Sequence, residues 1–175
     1  MMPTLDTAAT GYAIAIGAIF LAAGLRKLLN LASTAASIDL YRILPPQGGR
    51  VAALPLALLE AASGLTLLMP SQRFIGALAV SAILGVYTFA IVLNVARGTT
   101  GFDCGCGDAL PLQPGVGLLL RNAVMLVSTT ALAFVGGAPV DAVHWLVAVS
   151  IALLVLLLWR YTNMLIAAFS EPRDD

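Results

Sequence analysis

Charge is scarce in this chain. Lys plus Arg number 9 and Asp plus Glu number 9, together 10% of its 175 residues. A soluble globular domain carries about 25%, so these side chains cannot clothe a water-facing surface. Net charge is zero, and the basic residues form no patch or stripe. Nucleic-acid binding, which needs a clustered positive face, is excluded on that ground. Histidine occurs once and cysteine twice, too few for the four Cys/His ligands of structural zinc. The alternation of apolar and polar residues that marks a membrane barrel strand is also missing.

Hydrophobic residues make up 60% of the chain, and they come in runs. A transmembrane helix needs about 20 mostly apolar residues, and five segments meet that test. They run from about Ala8 to Leu25, Val51 to Met69, Phe74 to Ala96, Gly117 to Val135 and Val143 to Leu158. The first stops at Arg26-Lys27 and the second at Pro70. The third lies between Arg73 and Arg97, "GGAP" closes the fourth, and the fifth continues as helix toward Phe169. In hydrocarbon each backbone amide must be paired within its own segment, so each run is a helix. The expected fold is all-α: one integral membrane domain over residues 1–175, a bundle of about five transmembrane helices with one short interfacial helix. Asp6 precedes the first run and no Lys or Arg does, unlike the positive start of a secretory signal. That run is read as a retained span.

Between the first two runs lies "NLASTAASIDLYRILPPQGGR". Its middle forms a short helix with Leu31, Ala35, Ile38 and Arg42 along one side, ended by Pro45-Pro46 and Gly48-Gly49 and lying on the membrane surface. Ala77, Ser81 and Gly85 recur at helix-contact spacing on the third run, a row that lets backbones approach closely in lipid. Trp145 and Trp159 bracket the fifth run as interface anchors, with His144 a polar residue at the water boundary.

Both cysteines sit in "FDCGCGD", inside a loop of residues 98–116. An extended chain holds Cα(i) and Cα(i+2) about 7 Å apart, whereas a disulfide wants roughly 4.4–6.8 Å. Joining Cys104 to Cys106 therefore takes a tight bend, which Gly105 permits. A ring so formed is strained, and strained, exposed disulfides are the labile or catalytic ones. Asp103 and Asp108 act against thiol reactivity by their charge. Three readings stand side by side: structural cysteines acting as small hydrophobes, thiol–disulfide exchange, and a soft-metal site in which two thiolates hold Cu(I). His144 falls on the other side of the fourth run from Cys104, so no shared Cys/His metal site is expected.

Glu60 lies near the middle of the second run, in "VAALPLALLEAASGLTLLMP". An ionisable residue there costs roughly 2.5–3.5 kcal/mol on insertion scales and faces the bundle interior. It is neutral or paired with a cation, and Arg26, Lys27 and Arg121 all approach from the face that carries the cysteine loop. With Asn122 these residues form a candidate polar cluster. It serves either as a structural clamp or as a proton or quinone site.

These landmarks come in a recognisable order. A first span ending in a basic pair is followed by a surface helix and "LYRILPP". Then come an intramembrane "LLEAASGL", a "CGCG" loop and "LLLRN" opening the fourth span. Over about residues 10–135 the chain resembles the MauE family of methylamine-utilisation membrane proteins, related to DoxX-like membrane proteins. Family members usually read Cys-Gly-Cys-Phe-Gly where this chain reads Cys-Gly-Cys-Gly-Asp. The resemblance implies a role in disulfide formation in exported proteins, beside a thioredoxin-like partner, with Cys104 and Cys106 as the redox pair. A single pair cannot carry electrons across a bilayer, so an acceptor is needed. A quinone is the candidate, as in four-helix disulfide oxidases, which the chain resembles loosely. The competing class is a non-catalytic assembly or anchoring subunit of a larger membrane complex.

The expected location is the bacterial inner membrane, crossed several times. Sidedness pits two arguments against each other. Arg26, Lys27, Arg42, Arg50, Arg97, Arg121, Arg160 and Arg173 fall on the face of the cysteine loop and Arg73 alone opposite, which by the positive-inside rule makes that face cytoplasmic. Persistent disulfide chemistry instead needs an oxidising compartment. Because disulfide chemistry needs that compartment, the loop is expected outside the cytoplasm.

Overall fold

The computed structural model describes residues 3–99, 102, 104, 112–135 and 141–170. Among them are six α-helices: α1 (Pro3–Leu29), α2 (Leu31–Leu40), α3 (Gly48–Leu68), α4 (Arg73–Ala96), α5 (Val116–Ala133) and α6 (Ala142–Ser170). All but α2 are long and apolar enough to cross a membrane. The chain is a multi-pass helical membrane protein. Its outward faces carry Leu, Val, Ile and Phe in open exposure, as a lipid-facing surface requires.

The closest helix pair is α1 with α3, and small residues are the reason. A Cβ placed on Gly24 would stand 2.4 Å from the Ala61 amide nitrogen, and one on Gly64 would stand 2.4 Å from that of Leu21. Ala57, whose carbonyl also meets Gly24 on the seam, has no exposed surface. In lipid such close backbone approach replaces the hydrophobic drive that water supplies to soluble bundles. The seam has a direct consequence for charge placement. Lys27 is one turn beyond Gly24 and Glu60 one turn before Gly64, so the same faces that touch carry a cation and a carboxylate.

Elsewhere the bundle is joined by polar side chains. Tyr12 of α1 hydrogen-bonds Ser128 of α5 at 2.5 Å, and Thr130 of α5 bonds Ser81 of α4 at 3.1 Å. α6 packs along α1 and touches α5 at few points. At its start Asp141 accepts the His144 amide at 2.9 Å, and the His144 ring lies against the same carboxylate oxygen. The two contacts with His144 hold the Asp141 carboxyl below its usual range.

Several sequence expectations change in detail. Gly48-Gly49 opens α3 rather than ending α2: Gln47 takes a left-handed conformation at φ 67°, and the Gly49 amide donates to Asp39 at 2.8 Å. α2 ends at Leu40 and buries Thr34 and Ala35, while Leu31 and Arg42 are exposed and Ile38 is half-buried. The reason is that the backbone of Ala35 meets Gly49, which fixes the buried side. In the row Ala77, Ser81 and Gly85 the first two are buried, but nothing lies within 4 Å of a Cβ on Gly85. Trp159 is well inside α6, because that helix runs on to Ser170. Arg73, the lone cation of its face, is itself buried and donates to Thr10 at 2.9 Å.

These two glycine environments make opposite predictions. Gly64→Ala should destabilise the protein by about 1–3 kcal/mol, because the new methyl group meets backbone that cannot yield. Gly85→Ala should be neutral or slightly stabilising, since it adds helix propensity in open space. Thermal unfolding of the purified variants in detergent checks both.

Candidate functional site

The site is built where α1, α3 and α4 converge beneath α2. Lys27 Nζ lies 2.6 and 2.7 Å from the two Glu60 carboxylate oxygens. Both residues are buried, Glu60 to 1% exposure and Lys27 to 5%. Tyr87 of α4 completes the group. Its hydroxyl accepts from Lys27 at 3.0 Å and donates to Glu60, and its ring lies 5.0 Å from the ammonium, within cation–π range. The three side chains satisfy one another away from water, which is the condition for keeping charge in an apolar bundle. Arg26, one residue from Lys27 and about 100° around the helix, is exposed.

A second cluster sits on α5 and α6. The Arg121 guanidinium donates to Asn163 and, at 3.2 Å, to Asn122. It lies 4.1 Å from the Trp159 ring. Between the clusters is a chamber of about 30 Å³ whose wall includes Glu60, Tyr87, Arg121, Asn122 and Trp159. Asn122 Nδ2 is buried and has no hydrogen-bond partner among the described residues. One water needs about 10–15 Å³, so the chamber can hold a water bridging the two clusters.

Cys104 is fixed by its backbone. Its amide donates to Leu112 at 2.8 Å, and its carbonyl accepts from the Tyr41 hydroxyl at 2.9 Å. Tyr41 is in turn held by Asn94 Nδ2, which donates to its carbonyl at 3.3 Å, and by an edge-on ring contact with Phe102 at 5.0 Å. The Cys104 side chain is buried with Ile91, Leu112 and Leu118. It also lines a cavity of about 240 Å³ shared with Lys27, Tyr41 and Tyr87. Cys106, Gly105, Asp103 and Asp108 lie outside the described residues.

The structure therefore brings Lys27 and Glu60 together and places Cys104 on a cavity that Lys27 also lines. It sets Arg121 and Asn122 behind the small chamber and leaves Arg26 outside. Tyr87, Tyr41, Asn94, Trp159 and Asn163 were not singled out as site residues from sequence. The usable signal for Asn94 and Asn163 was an amide side chain within an apolar run, the same signal that marks Glu60.

The family model for methylamine utilisation protein MauE matches residues 5–136. The chain belongs to the MauE family. The methylamine utilization protein MauE of Paracoccus denitrificans is 37% identical over 127 residues, covering 72% of this chain and 67% of that protein. Its counterpart in Paracoccus versutus is 34% identical over 111 residues, 63% of this chain and 60% of the relative. In Methylophilus methylotrophus the figures are 36% over 93 residues, 52% and 48%. The match thus spans between about half and two thirds of these relatives' own length. No solved structure matches the chain.

A double-substitution cycle tests the buried pair. Glu60→Leu should cost about 3–5 kcal/mol, because it strands an ammonium in the bundle. Adding Lys27→Met to that variant should restore much of the loss, and Glu60→Gln should cost less than Glu60→Leu, since an amide still hydrogen-bonds. Unfolding midpoints in detergent give all three values.

Proposed function

We propose that this chain is a thiol–disulfide redox factor of the bacterial inner membrane, which supports disulfide formation in exported proteins through Cys104 and Cys106. The observation that carries this reading is the 240 Å³ cavity, with Cys104 on one wall and Lys27 and Tyr87 on another. Oxidising two thiols to a disulfide releases two electrons and two protons. Groups able to take up and pass protons, Tyr87 with Glu60 behind it, stand beside the same cavity as the thiol. The partner is a thioredoxin-like protein that exchanges disulfides with the pair, and the substrate is an exported protein containing disulfides, as the family resemblance implies. The relatives' names tie them to methylamine utilisation, and growth on methylamine is the setting in which to test this chain.

The experiment is trapping. Replacing Cys106 with Ser leaves Cys104 unable to resolve an intermolecular disulfide, so a mixed disulfide with the partner should accumulate and be identifiable by mass spectrometry. A Cys104→Ser/Cys106→Ser chain that retains full function in cells would instead leave only a structural or anchoring role.

Sidedness has a separate test. Arg97, at the end of α4 on the face of the cysteine loop, is exposed. In the Cys104→Ser/Cys106→Ser background, Arg97→Cys should react with a membrane-impermeant maleimide in intact spheroplast-free cells whose outer membrane has been made permeable. Labelling only after lysis puts this face in the cytoplasm, as the exposed Arg26, Arg42, Arg50 and Arg97 argue by the positive-inside rule.

A further inference from the structure

Between α1, α5 and α6 runs an open groove of about 950 Å³ that the redox reading leaves unused. It exists because α5 and α6 touch at few points. Its walls are apolar, among them Ile16, Leu120, Val124, Leu158 and Phe169, and Arg121 and Trp159 stand in the same lining. A long apolar pocket with one cationic, aromatic-backed position fits a molecule with an apolar tail and a hydrogen-bond-accepting head.

Depth selects the head. α5 has 18 residues, about 27 Å at 1.5 Å per residue, close to the roughly 30 Å hydrocarbon thickness. Its first residue therefore lies near the interface, and Arg121, five residues on, lies about 7.5 Å deeper. Phospholipid phosphates stay at the interface, above that level. Glu60 on the chamber wall is already neutralised by Lys27, so it leaves the Arg121 guanidinium open to either kind of acceptor, and depth decides between them. A neutral carbonyl can sit below the interface and accept from a guanidinium.

We propose that this groove binds a membrane quinone, its isoprenoid-type tail between α5 and α6 and its carbonyl head at Arg121. This deepens the redox reading, and rests on it, by naming the electron acceptor. Leu118 and Ile166 line the groove and also pack in the cluster that contains Cys104, so the groove adjoins the side chains around the thiol. In the exchange the two thiols lose two electrons and two protons and gain an S–S bond, while the quinone takes up both pairs and becomes the quinol.

Binding can be read without turnover. Trp145 and Trp159 are the chain's tryptophans, so Trp145→Phe makes Trp159 the sole tryptophan of the purified full-length protein in detergent, and excitation at the red edge of the absorption band selects it over the tyrosines. Decylubiquinone should quench it saturably. Arg121→Gln should weaken binding at least tenfold. So should Val124→Phe, which adds bulk at an exposed groove position and leaves the buried clusters intact. Linear quenching equal to that of a tryptophan analogue in the same micelles overturns the site, and so does saturable quenching that neither substitution alters. A co-purified phospholipid that decylubiquinone fails to displace overturns it as well. Cys104→Ser/Cys106→Ser should bind like the parent. Failed binding therefore removes the acceptor site alone, and normal binding in a chain whose cysteines prove dispensable in cells removes the redox reading alone.

Discussion

An ammonium and a carboxylate held 2.6 Å apart inside an apolar bundle constrain everything packed around them. Neither charge is tolerable alone at that depth, because separating the pair exposes each to a medium that cannot solvate it. The α1–α3 seam must therefore hold its register, and the glycines at 24 and 64 are what let the two backbones come close enough. Tyr87 brings α4 into the same contact. Three of the five long helices are thus located by one polar group, and the cavity beneath α2 takes its shape from that convergence.

The cysteine loop depends on this frame at second hand. Asn94, on α4 below the loop, holds the carbonyl of Tyr41, and the Tyr41 hydroxyl holds the carbonyl of Cys104. The chain of contacts runs from helix to interhelix turn to the Cys104 backbone. It sets Cys104 against an apolar cluster on one side and a cavity lined by Lys27 and Tyr87 on the other. Cys104 is buried in that position, and the cavity is the open space beside it.

Much of the fold is legible in the sequence because lipid imposes a simple rule. An apolar run of sufficient length must be a helix, so the five long helices stand out, and so does a carboxylate in the middle of one. What the runs do not carry is rotation. Arg26 and Lys27 are adjacent and chemically alike, and only the packing of Gly24 against Ala61 decides that Lys27 turns inward. Tyr87 and Trp159 look like ordinary aromatics of a membrane helix until their neighbours are known. Gly48-Gly49 reads as a helix breaker in one dimension. In three it allows α3 to start against Ala35 and Asp39, where a larger residue would collide. Side chains that act through contacts with distant helices are invisible to a reading that proceeds along one helix at a time.

On the proposed redox function, the Lys27–Glu60–Tyr87 group serves the cysteine pair and does not merely hold helices together. The most direct measurement is the redox state of Cys104 and Cys106 in cells carrying Glu60→Gln, read by alkylation-induced gel shift alongside the amount of protein in the membrane. A group that takes up protons from the pair predicts normal protein levels with the cysteines shifted from their parental oxidised fraction toward the reduced state. An unchanged oxidised fraction at normal protein levels would contradict it and reduce the buried pair to a clamp.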